Sequence, residues 1–288
     1  MKRSSILSTI LVALLLSGCA SMSGAGGGKG TLDRIKASKS IALGYRQSSV
    51  PFSAVGADGK PAGYSIDLCT QVAKDIGSDL GIPDLAIKWV PVSVESRMAA
   101  VRDGTIDLEC GSTTNTLSRQ AEVDFSLTTF ITGGSLLSLR GTSLTELAGL
   151  RIAVIPGTTT ERVLKEALDK APAADVRLVP VKDHVDGRTA IENRTADAYA
   201  SDRDILIGLA LTAADPRRFI LAERYFSYEP YALMLRRGDL DFRLAVNRSL
   251  ARFYRSGQIL TVYSRWFGAL GDPNALIIAM YAIEGLPD

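Results

Sequence analysis

From Ile41 onward the apolar positions switch between two periods, and the switches divide the chain into alternating elements. Ile41–Tyr45 is a short apolar run that predicts a strand. Leu68, Val72, Ile76 and Leu80 then recur every fourth residue, the spacing of one helix face. Ile87–Val92 predicts the next strand. Ser93–Val101 follows as a short helix with Ser93 as its cap and Glu95 in its first turn. Ile106–Leu108 and Val123–Phe125 read as further strands.

The rhythm restarts after Arg140. Leu144–Leu147 predicts a short helix and Arg151–Ile155 a buried strand. Val163, Leu164, Ala167 and Leu168 mark a helical face, and Val176–Val181 is a strand. Helices at Arg188–Asn193 and Ile205–Leu211 flank a strand at Ala198–Ala200. Phe219–Ala222 and Tyr231–Leu235 are strands, and Phe242–Phe267 is helical. Strands alternating with helices imply α/β sheets rich in parallel pairs, and two successive series imply two domains. In open α/β sheets ligands sit beyond the carboxyl ends of strands, where helix N-termini point into a crevice. Gly111–Thr116 and Pro156–Thr160 both occupy such ends, one in each series.

Composition narrows the class. Of 288 residues, 46% are hydrophobic and 22% charged, an ordinary globular balance, and the net charge of +2 gives no reason to expect a nucleic-acid partner. The first residues are set apart. Lys2 and Arg3 precede an apolar run, Ile6–Leu16, too short to span a bilayer as a mature helix. Leu16-Ser17-Gly18-Cys19 then resembles the lipobox of bacterial lipoproteins. The expectation is a signal peptide over 1–18, lipidation of Cys19, and a flexible Gly/Ser-rich tether over 19–30. Cysteine use is otherwise sparse. Cys69 and Cys110 permit one disulfide, and two buried free thiols are the favoured expectation. His184 is the only histidine, so no zinc site is expected and no cofactor is called for.

The candidate chemistry is that of a grip on a small anion. Gly111–Thr116 is a run of small and hydroxyl-bearing residues leading to Arg119, whose guanidinium can fork onto a carboxylate. Gly157-Thr158-Thr159-Thr160 opens a helix after a buried strand. It lacks the lysine and spacing of a phosphate-binding loop, and an anion site and a plain N-cap both fit it. Arg46 and Arg97 follow strands and could equally be solvated. Asp202 ends a strand and could cap the next helix, with Asp204 an equal candidate. No Ser/His/Asp triad and no carboxylate dyad is readable, so no catalytic residue is assigned.

Several segments together carry a resemblance. Gly44–Phe52, Gly63-Tyr64-Ser65-x-Asp67, Glu109–Asn115, Gly157–Thr159, Lys182-Asp183-His184 and Met234-Leu235-Arg236 are similar to the polar amino-acid solute-binding proteins of bacterial ABC importers, glutamate/aspartate binders in particular. The resemblance runs over roughly 31–268. It implies a two-lobed periplasmic-binding-protein (Venus-flytrap) fold with two hinge strands. Lobe 1 would be discontinuous, 31–132 and 236–288, and lobe 2 would be 137–231, with crossings near Thr132–Leu136 and Tyr231–Leu235. It implies a monomer that binds L-glutamate, L-aspartate or a related polar amino acid. Its partners would be an ABC permease and ATPase, and its place the periplasm, on a membrane through Cys19. By resemblance, Arg119 would hold the α-carboxylate, helped by Thr114 and the amides at Thr158 and Thr159. Asp202 would take the α-ammonium, and Arg46, Arg97, Ser112 and His184 the side-chain carboxylate. Val94 departs from the pattern, which has a serine there. A dehydratase-like enzyme of the same fold and a ligand-presenting sensor are the competing readings.

Overall fold

The structure, a computed structural model, describes residues 30–170 and 175–287; the expected leader, Cys19 and the tether up to Lys29 lie outside the described residues. The chain begins with α1 (Thr31–Ser38) and β1 (Ser40–Tyr45), then β2 (Ser48–Ser49), β3 (Ser53–Val55) and β4 (Pro61–Ala62), which form a small sheet of their own. It continues through α2 (Tyr64–Asp79), β5 (Ala86–Pro91), α3 (Arg97–Arg102), β6 (Leu108–Glu109), α4 (Leu117–Gln120) and β7 (Val123–Thr132). Next come β8 (Gly134–Leu139), β9 (Arg151–Val154), α5 (Thr159–Lys170), β10 (Arg177–Pro180), α6 (His184–Glu192), β11 (Ala198–Asp202), α7 (Arg203–Leu211) and β12 (Phe219–Leu221). It returns through β13 (Glu229–Arg236) to α8 (Leu240–Arg255), α9 (Gln258–Phe267) and α10 (Ala275–Glu284).

Two five-stranded sheets result, ordered β5-β1-β6-β13-β7 and β10-β9-β11-β8-β12. In each, a parallel trio carries antiparallel strands on one side. β1 lies between β5 and β6, and β9 between β10 and β11, while β13 and β8 run antiparallel to their neighbours. The chain crosses between sheets once from β7 to β8 and once on the way back into β13. The register pairs Glu229 with Thr132, so β13 belongs to the first sheet along its whole length. The return crossing therefore falls ahead of Glu229 and not at Tyr231–Leu235. The two crossings are tied together: Phe226 N donates to Gly134 O and Gly134 N to Ser227 Oγ, each at 2.9 Å.

Each lobe buries its own apolar face. Under the first sheet the rings of Phe52, Tyr64, Phe130, Tyr231 and Phe267 pack against one another, Phe52 lying 4.9 Å from Phe130 and 5.1 Å from Tyr231 between centroids. Aromatic side chains bury the largest areas available and prefer these edge-on and offset contacts. The second lobe buries Leu136, Ile152, Val154, Leu164, Ala198 and Ala200 in one cluster, and its Tyr199, Leu206 and Phe219 join the larger one. The lobes also touch, since α6 rests against β2.

Several local expectations are corrected. Leu144–Leu147 is irregular, not a helix; it lies between the positive-φ glycines Gly141 and Gly149, and its leucines pack onto the second lobe's core. α3 starts at Arg97 and not at Ser93, because Ser93 and Ser96 exchange backbone-to-hydroxyl bonds that make a turn of residues 93–96. The long C-terminal helix is broken at Gly257, which adopts a left-handed φ of 73°. Cys69 and Cys110 are bonded to each other, contrary to the favoured free thiols. Cys69 is on the buried face of α2 and Cys110 directly after β6, which brings their Cα atoms to 6.1 Å.

Candidate functional site

The carboxyl ends of β1, β6, β9 and β11 face a common narrow cleft between the lobes. Arg46, Arg97, Ser112, Thr114, Arg119, Thr158, Thr159, His184 and Asp202 all line it, so every binding residue expected from the sequence is brought to one place. Val94, Thr160, Ser201 and Ile205 line it as well.

On the first lobe the arginines are held, not solvated. Arg46 and Arg97 are only 3% and 4% exposed, which removes the reading of both as surface residues. Arg97 opens α3 and donates from Nη1 to Thr113 Oγ1 at 2.6 Å; Thr113 passes its own proton to Glu109 Oε2 at 2.7 Å. Arg97 Nε has no partner, an unmet donor in a buried place. Arg119 reaches back from α4, whose first turn is capped by Thr116, and donates to the Thr114 carbonyl at 2.8 Å. Burial pushes the Arg46 and Arg119 guanidiniums down to about 10, and the charge of Arg97 adds to the push on both. Such crowding of like charges in low dielectric is costly unless an anion joins them. A Cβ at Gly111 would displace the Glu109 carboxylate, whose Oε1 it would meet at 2.1 Å.

The second lobe supplies hydroxyls, one carboxylate and the histidine. Thr158 is committed locally, donating to the Ile155 carbonyl at 2.7 Å and accepting from Glu161 N, while the Glu161 carboxylate accepts from Gly157 N. That arrangement is close to a capping box and fixes the N-terminus of α5, whose first amides have no intrahelical acceptor. His184 Nδ1 lies 2.7 Å from the Tyr199 hydroxyl. The ring of Tyr199 comes this close because Gly187 has no Cβ, which would meet it at 2.4 Å. Burial, with Arg46 and Arg97 nearby, holds His184 well below the usual histidine range, so it is neutral.

Asp202 settles its own ambiguity. It sits at the N-cap position of α7 but makes no cap bond. Its Oδ2 instead accepts from the Tyr231 hydroxyl, and its Oδ1 is buried without a partner. Asp204 bonds Thr132 Oγ1 at 2.6 Å at the hinge. Burial, then the charge of Glu229, raises the Asp202 carboxyl to about 7. An unpartnered carboxylate oxygen at a cavity wall is a ready acceptor for a cation.

Sequence reasoning missed Glu109, Glu229, Tyr199 and Tyr231. Glu109 had one signal, an acid at the end of a buried apolar strand, which requires a partner. The two tyrosines read as ordinary core residues, and nothing in Tyr228-Glu229-Pro230 marks an inward-facing carboxylate.

Comparison with known proteins agrees with this architecture. The sequence pattern of the bacterial extracellular solute-binding proteins, family 3, matches residues 41–269. The chain is 36% identical over 276 residues to an L-glutamate/L-aspartate-binding protein of Pseudomonas aeruginosa, covering 94% of this chain and 90% of the relative. It is 34% identical over 264 residues to a glutamate/aspartate import solute-binding protein of Escherichia coli, covering 90% and 87%. Among solved structures, the cysteine-binding protein of Campylobacter jejuni superposes with a TM-score of 0.73 at 19% identity, over 86% of this chain and 98% of that one, which supports the two-lobed fold. The chain belongs to the bacterial extracellular solute-binding proteins, family 3.

Proposed function

We propose that this chain is the binding component of an ABC importer for an acidic amino acid, L-glutamate or L-aspartate, held between the two lobes. The observation that carries the reading is the charge inventory of one cavity: the three guanidiniums of Arg46, Arg97 and Arg119 face a carboxylate with a free oxygen, Asp202. A dicarboxylic amino acid brings two anions and one cation, which is the complement of that set. Arg119, oriented by the Thr114 carbonyl, takes the α-carboxylate together with the N-terminus of α5. Asp202 takes the α-ammonium. Arg46, Arg97 and Ser112 take the distal carboxylate, joined by His184 Nε2–H when Tyr199 donates to Nδ1. Similarity to the Pseudomonas and Escherichia relatives, named for glutamate and aspartate, supports the same ligands.

Similarity to relatives named as binding proteins supports a binder over an enzyme of the same fold. We place one lobe at 30–132 with 229–287 and the other at 134–227, following the sheet pairings. The protein works as a monomer in the periplasm, delivers its ligand to a permease and ATPase, and is tethered to a membrane by lipidated Cys19. Cys19→Ser should move it from the membrane to the soluble fraction, and unchanged fractionation contradicts the anchor. Titration calorimetry of the wild-type chain tests the main reading. Glutamate and aspartate should bind far more tightly than glutamine and asparagine, and a preference for the amides contradicts it.

A further inference from the structure

Glu229 is buried at the first residue of β13, 1% exposed, and its carboxylate is fully engaged. Oε2 accepts from Thr114 Oγ1 at 2.6 Å and from Thr159 Oγ1 at 2.7 Å; Oε1 accepts from Ser227 Oγ at 2.6 Å. These partners come from different parts of the molecule. Thr114 belongs to the first lobe, Thr159 opens α5 in the second, and Ser227 lies in the return crossing, where it also accepts from Gly134 N. The two threonine oxygens are 3.4 Å apart, so one carboxylate oxygen meets both only when the lobes are together.

A threonine hydroxyl has a single proton. Once that proton is given to Glu229, the oxygen can offer only lone pairs to anything else. Both threonines line the cavity, and the unpartnered Asp202 Oδ1 lines it too. The side-chain oxygens of Thr114, Thr159 and Asp202 therefore present acceptors alone, which suits the N–H groups of an ammonium, while the backbone amides of the α5 N-terminus remain for the α-carboxylate.

We propose that Glu229 is a positioning residue for ligand recognition: by taking the hydroxyl protons of Thr114 and Thr159 it makes their end of the cleft a cation receptor and ties that end, through Ser227, to the hinge. The proposal rests on the amino-acid reading above and changes it in one respect. Thr114 serves the α-ammonium, not the α-carboxylate. Arg119 then holds the α-carboxylate without that hydroxyl. Glu229 also keeps the two ends of the cleft opposite in polarity, because hydroxyls released from it could turn and donate to an anion.

The test compares L-glutamate with glutarate, which keeps both carboxylates and lacks the ammonium, by calorimetry on the full chain. In Glu229→Ala the ratio of L-glutamate to glutarate affinity should fall by at least about tenfold, since charge-assisted contacts to the ammonium are lost while glutarate gains two donors. Glu229→Gln should lower the ratio less, because its amide oxygen can still take both hydroxyl protons without supplying a charge; this variant decides the matter alone where the alanine variant does not fold. Equal loss for both ligands, the signature of a merely structural role, overturns the proposal, and so does an unchanged ratio. A wild-type chain that binds no amino acid overturns the functional reading and this proposal together. Normal wild-type binding with an unchanged ratio in the variants overturns the role of Glu229 alone.

Discussion

The first lobe brings Arg46, Arg97 and Arg119 to the cleft, and among the described residues that line it the second brings no cation: His184 is neutral there, and Asp202 is the charge it can offer. Both lobes are built on the same sheet plan, with the site at the same strand ends. The difference is therefore one of side chains and not of fold. It teaches an order of events. An anionic ligand is drawn first to the arginine-bearing lobe, where three guanidiniums crowd about the buried Glu109 carboxylate. The second lobe then closes over the ligand, with Asp202 on the ammonium and the N-terminus of α5 on the α-carboxylate. Ligand biases the closed state because it contacts both lobes only there.

The largest expected effect breaks the first lobe's share. Arg119→Ala should weaken every amino acid by about 2–5 kcal/mol, because the α-carboxylate is common to all and the contact is charged and desolvated. Calorimetry showing that glutamine or asparagine keeps full affinity in this variant would mean that Arg119 serves the distal group instead. Second is the disulfide, a brace that the first lobe has and the second does not. Cys69 and Cys110 are 41 residues apart in sequence, and opening the bond should cost about 2–4 kcal/mol. Thermal melts with and without reductant check this, and identical midpoints would contradict it.

Third is pH, which probes the second lobe. Asp202, at about 7, is faced by Glu229, Asp204, Tyr231 and Arg119. A bound ammonium needs it ionised, so affinity should fall by up to about tenfold per pH unit below 7. Ligand-free stability carries the opposite sign. A carboxyl raised above its unfolded value contributes stability that is present below that value and is lost as pH rises through about 7. Asp202→Asn should flatten both profiles. Smallest is Val94→Ser on the first lobe. A hydroxyl at that cavity wall should tighten glutamate by about 0.5–1.5 kcal/mol, and calorimetry would read any loss instead as loss of apolar packing.

Strand ends and glycine-bearing, hydroxyl-rich turns are local features, so the alternation of elements and the candidate turns at Gly111–Arg119 and Gly157–Thr160 could be read along the chain, whereas Arg46, Arg97, His184 and Asp202 were assigned only through the resemblance. Asp202 shows where such reading stops. Its position fits a helix cap, and only the Tyr231 hydroxyl arriving from the other lobe turns its side chain into the cavity. Glu229 gave no local signal because the threonines that engage it are 115 and 70 residues away in sequence. The cysteine pair was likewise undecidable until α2 and β6 were packed together. Leu144–Leu147 failed in the other direction: two leucines at helical spacing sit in an irregular segment between the positive-φ glycines Gly141 and Gly149.

Calorimetry of Arg97→Ala against glutamate, aspartate, glutamine and asparagine tests the central claim most directly. Arg97 is buried and carries the unpartnered Nε beside the cavity. The account predicts a loss of about 2–5 kcal/mol for the two acidic ligands and little change for whatever binding the two amides show. Full retained affinity for glutamate and aspartate would contradict an acidic amino-acid site.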